Sequence, residues 1–85
     1  MALKLREGVF TAEVDYGTAL LDEESGQYWN LNPTGAVILQ TLLDGGTFDD
    51  AARALAQEYA VDLDTASVDV QELVGELRSA GLVES

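Results

Sequence analysis

The 85-residue chain has no cysteine and no histidine, and it has only 4 basic residues against 16 acidic ones. Without cysteine there can be neither a disulfide framework nor a thiolate metal site. Without histidine the chain lacks the commonest general base and the commonest metal ligand. Ser–His and Cys–His nucleophile pairs are therefore excluded. No stretch approaches the ~20 apolar residues of a membrane-spanning helix. The opening MALKLREGVF has no apolar segment long enough for a signal peptide. A cytoplasmic location and no membrane partner are the expectations. Eighty-five residues suit one domain, 1–85, and a chain of that size buries only about 60% of its unfolded surface.

The shortage of positive charge bears on partners. The formal net charge is −12. Lys4, Arg6 and Arg53 lie outside the last helical segment, and Arg78 stands alone within it. A helix that reads DNA needs several cations aimed into a groove, so nucleic acid is not an expected partner. The acidity has two readings: it serves solubility alone, or it favours a basic peptide or protein partner.

The first third of the chain reads as an antiparallel meander. Val9–Val14 is β-prone, Asp15-Tyr16-Gly17 makes a turn, and Thr18–Asp22 is a second strand. Glu23-Glu24-Ser25-Gly26 is a polar hairpin loop ending in glycine, and Gln27–Leu31 is a third, aromatic-rich strand. The first and third strands are then the sheet edges. Three helices follow. Asn32 is an N-cap with Pro33 at the first helical position, and this helix stops at Asp44-Gly45-Gly46. The second starts at Thr47, with Asp50 completing a capping-box-like pair, and places Phe48, Ala51, Leu55 and Tyr59 at helical spacing. The third starts near Asp62 or Asp64 and ends at Gly81, after which Leu82-Val83 packs back. On this helix Ala66, Val70, Leu73, Leu77 and Ala80 form one apolar stripe, read as core. Thr65, Asp69, Glu72 and Glu76 form an acidic shoulder beside it. Gly75, opposite the stripe, marks either a close backbone approach or a neutral surface position.

Catalysis has little to work with. Carboxylates abound, but a chain this small rarely forms the cleft a hydrolase pair needs. Asp22–Gly26 lacks the spacing of a calcium loop, and Asp44-Gly45-Gly46 is too short to cradle phosphate. No enzyme activity, metal or cofactor is expected. Binding has more. The third strand carries no lysine, proline or charge from Gln27 to Leu31, so its edge is open to a guest strand unless it is short or covered. Period two puts Trp29 and Leu31 on one face and Tyr28 and Asn30 on the other. Trp29 is either a core tryptophan or a groove wall, and both roles can hold at once.

The run LLDEESGQYWNLNPTGAVILQTLLDGG resembles the LD…GxYxxLNxTGAxI…LL.G signature of PqqD-like proteins, the RiPP recognition elements. Downstream, Ala66, Asp69, Val70, Leu73, Leu77, Gly81 and Leu82 are similar in type and spacing to the family's last helix and its exit. The resemblance is closest to the stand-alone version of lasso-peptide gene clusters. It implies an α+β winged helix-turn-helix with a three-stranded antiparallel sheet followed by three helices. It also implies binding of the leader segment of a ribosomally made precursor, added as a strand to the third strand and lying against the third helix. Partners would be a cysteine-protease-like leader peptidase and an ATP-dependent macrolactam synthetase. The family pattern puts Trp29 and Leu31 on the helix side. The expected peptide-binding residues are Gln27, Tyr28, Trp29, Asn30, Leu31, Asp69, Glu72, Leu73 and Glu76. Alternative readings are a peptide chaperone of pyrroloquinoline-quinone biosynthesis and a small winged-helix transcriptional regulator.

Overall fold

The computed structural model describes residues 3–15 and 17–84. Eight elements run in the order β1 (Lys4–Leu5), β2 (Val9–Val14), β3 (Gly17–Asp22), β4 (Tyr28–Leu31), α1 (Pro33–Leu43), α2 (Phe48–Tyr59), α3 (Leu63–Ser79) and β5 (Val83–Glu84). β2, β3 and β4 form the expected antiparallel meander, with β3 in the centre. A second, two-stranded sheet, not expected from the sequence, pairs β1 antiparallel with β5. Two-residue strands are too short to carry a period-two pattern. Tyr16, in the expected turn between β2 and β3, lies outside the described residues.

Local chemistry explains the boundaries. Gly17 opens β3 at φ +149, and a Cβ there would meet the Leu31 carbonyl oxygen at 2.0 Å. Only glycine lets β3 begin this close to the end of β4. Pro33 sits in the first turn of α1, and the Asn32 side chain accepts a hydrogen bond from the Gly35 N–H at 2.8 Å. In α2 the Thr47 hydroxyl and the Asp50 carboxylate each bond the other residue's N–H at 3.0 Å, a complete capping box. Asp62, rather than Asp64, caps α3. That helix ends with Gly81 N–H on the Arg78 carbonyl and Leu82 N–H on the Leu77 carbonyl, a Schellman turn that sends Leu82 into the core.

Val9, Leu20 and Leu31 line the inner face of the sheet, against Ile38, Leu39 and Leu42 of α1, Leu55 of α2 and Val70, Val74 and Leu77 of α3. The core stripe of α3 is rotated from the expected one. Val74 is fully buried, whereas Leu73 and Ala80 are only half-buried at its margin. The cause is that α3 packs on α2 and not on the sheet edge. In α2, Ala52 joins Ala51 and Leu55 in the core, while Phe48 and Tyr59 at the two ends stay exposed. No helix among the described residues is long and apolar enough to cross a membrane.

Candidate functional site

β4 is an edge strand of the three-stranded sheet. Its partner residues on β3 are Leu21 for Tyr28, Leu20 for Trp29, Ala19 for Asn30 and Thr18 for Leu31. Antiparallel pairs alternate between bonded and non-bonded positions. The Asp22 N–H donates to the Gln27 carbonyl at 2.9 Å, so bonded positions fall on Trp29 and Leu31. The N–H and C=O groups of Tyr28 and Asn30 therefore point out of the sheet. The N-terminal strand β1 is paired with β5 and does not cover this edge.

An open trough separates β4 from α3. Its larger part, about 850 Å³, is lined by Trp29 on one side and by Glu72, Gly75, Glu76, Ser79 and Ala80 on the other. It continues past Glu72 and Glu76 into a smaller part of about 300 Å³, where Asp69 and Leu73 face Asn32, Thr34, Gly35 and Ile38. Trp29 is half-buried against the core and also walls the trough. The LNPTG segment builds the floor of the narrow end. Leu31 is core, and the Thr34 hydroxyl donates to the Asn32 side-chain oxygen at 2.8 Å. Gly35 is buried, with no room to spare beside Leu31. A built Cβ on Gly75 meets nothing within 4 Å. This position is an opening in the helical wall and not a contact between backbones.

Outside the trough, at the exit of α3, lies a polar cluster absent from the sequence expectations. The Arg6 guanidinium donates to Asp22 Oδ2 at 2.6 Å, to Glu24 Oε2 at 2.5 Å and to the Gly81 carbonyl at 2.6 Å. Asp22 is buried and also accepts from the Ser25 hydroxyl and the Glu24 N–H. Burial pushes the Asp22 carboxyl up. The bonds from Ser25, Arg6 and the Glu24 backbone outweigh burial and hold it below its ordinary value. The bond to Glu24, then that to Asp22, raises the Arg6 pKa. The acids of the Asp22–Gly26 loop thus hold a guanidinium. The sequence signal was present in part: the lone Arg6 near the N-terminus and an LD pair heading a hairpin.

Of the nine expected residues, Trp29, Asp69, Glu72, Leu73 and Glu76 line the trough. Tyr28 and Asn30 are exposed on the free edge, on the face away from the helices. Leu31 supplies core and not lining, because its side chain points beneath α1. Gln27 precedes β4 and belongs to the turn, its N–H taken by the Ser25 hydroxyl at 3.1 Å. Gly75, Ser79, Ala80, Asn32, Thr34, Gly35 and Ile38 line the trough without having been expected. Helical angle could have found Gly75 and Ser79, since they flank Glu72 and Glu76.

A free sheet edge and a helix flanking an open trough define a small α+β module with a candidate recognition groove. The model of the family described as Coenzyme PQQ synthesis protein D (PqqD) matches residues 17–83. The chain belongs to the PqqD family, as a PqqD-like RiPP recognition element. A solved structure described as lasso peptide synthetase B1 complexed with the leader peptide is similar over 100% of both chains, at 41% identity and a TM-score of 0.93. A second, described as TbiB1 in complex with the TbiA(beta) leader peptide, is 28% identical. It covers 96% of this chain and 95% of its own, with a TM-score of 0.86. No curated protein matches the chain.

Proposed function

We propose that this chain binds the leader segment of a ribosomally synthesised precursor in lasso-peptide maturation. The leader adds as a fourth antiparallel strand to the free edge of β4, and its inward side chains lie in the trough against α3. The observation that carries this reading is the trough itself, with the outward-pointing amides and carbonyls of Tyr28 and Asn30 along one rim. Leader complexes of two structures similar along all or nearly all of the chain support it. Main-chain pairing supplies most of the affinity, and the trough supplies register and selectivity. Ordering a disordered peptide offsets part of the gain, which makes micromolar or tighter binding the expected order.

In this reading the chain acts as one domain of winged helix-turn-helix type, in the cytoplasm and without a catalytic step of its own. It presents the precursor to a leader peptidase and a macrolactam synthetase. The test is a parallel titration of two labelled probes: the leader of the precursor encoded beside its gene, and a DNA duplex at low salt. Leader binding without duplex binding is expected, because a net charge of −12 repels phosphate. Duplex binding without leader binding would favour the transcriptional regulator instead.

A further inference from the structure

The trough has two walls on different elements that share little direct packing. β4 packs on β3 and α1, whereas α3 packs on α2 and β5. Arg6 bonds the segments that adjoin both. Its Nε holds the carbonyl of Gly81, directly after Ser79 and Ala80 of the helical wall. Its two terminal nitrogens hold Asp22 at the end of β3 and Glu24 in the turn that leads to β4. The side chain itself lies outside the trough, in a separate recess with Glu7, Gly8 and Glu24.

We propose that Arg6 is a positioning residue for the peptide groove. It ties the β3–β4 turn to the exit of α3 and fixes the separation of Trp29 from the helical wall. This rests on the leader-binding reading and extends it to a residue that touches no peptide. The planar guanidinium suits the task, because its fork of donors reaches three acceptors on two segments at once. An ammonium at this position keeps the charge and loses that geometry. Freed of the tie, the two walls sample wider separations, and only the fraction of molecules in the narrow state accepts the leader.

The test uses Trp29, the one tryptophan of the chain, as a gauge of the gap that needs no peptide. Acrylamide quenching of its fluorescence is measured beside leader affinity and the far-ultraviolet circular dichroism, for wild type and for R6Q, R6K and E24Q. R6Q is expected to keep its helical signal and to quench more readily. If the narrow state falls to a tenth of the population, leader affinity weakens about tenfold. R6K should behave like R6Q, and E24Q should shift both readouts less in the same direction. Leu55→Val in α2, away from the trough, serves as a destabilised control and should move neither. If R6Q fails to fold, R6K and E24Q carry the test, Glu24 being exposed. Wild-type quenching and affinity in folded R6Q, or in R6K, overturn the proposal. A wild-type chain that binds no leader while its Arg6 variants quench more would sink the leader reading and leave the tie standing.

Discussion

At the residue scale, the acids of α3 divide by what they face. Glu72 and Glu76 each border both parts of the trough, and Asp69 borders the narrow part. Their charges would act on a basic peptide at short range and through little protein. Glu72→Lys should therefore leave the melting temperature nearly unchanged and weaken binding of a leader with basic residues. The loss should grow as salt is lowered, since screening no longer masks it. Isothermal titration at two salt concentrations reads this, and an unchanged affinity for both Glu72→Lys and Glu76→Lys at low salt would put the shoulder outside the binding face. Asp22 is the other informative acid. Its pKa is depressed in the folded state, so the stability it contributes is present above the ordinary carboxylate value. That contribution is lost as the pH falls below about 4, toward the lowered folded value. Protonating the other acids relieves repulsion and works the opposite way. The comparison that isolates the effect is wild type against Asp22→Asn. Thermal melts between neutral and acid pH should converge as the pH drops; a constant gap would contradict the depressed pKa.

At the element scale, most of the secondary structure was legible because single residues punctuate it. Asn32-Pro33, Thr47 with Asp50, and Gly81 each set a helix end through one or two specific hydrogen bonds, and such signals are local. The rotation of the α3 stripe was not legible. Leu73 and Val74 are both apolar neighbours, and only the position of α2 decides which of them is buried. The β1–β5 pairing was equally hidden, since it joins the two ends of the chain through strands of two residues. Gly75 is ambiguous in the sequence because its angle lies opposite the core stripe; its meaning depends on the trough, a feature of several elements. This gives a prediction in which two readouts part. Gly75→Ala should stabilise the fold by up to ~1 kcal/mol through helix propensity. The same methyl group intrudes on the trough opposite Trp29, so leader affinity should fall. Chemical denaturation and peptide titration on one preparation check both signs. Tighter binding together with higher stability would mean that the peptide does not pass this point.

At the scale of the whole molecule, the unpaired edge of β4 beside the trough and the membership of the PqqD family both point to recognition. Composition could exclude chemistries, and the strand pattern could locate the edge. The trough needed the fold, because Trp29, the start of α1 and one side of α3 meet only when α3 returns past the sheet. The central claim is that a guest strand pairs with the outward-facing backbone of β4, and Asn30 tests it most directly. Its N–H points away from β3, so proline there spares the β3–β4 ladder and removes a donor from the free edge. Its side chain is exposed and outside the trough, so alanine there removes almost nothing. Leader affinity is measured for Asn30→Pro and Asn30→Ala, with circular dichroism to establish that each is folded. The account predicts near wild-type binding for Asn30→Ala and no detectable binding for folded Asn30→Pro. Wild-type affinity in folded Asn30→Pro would contradict strand addition at this edge.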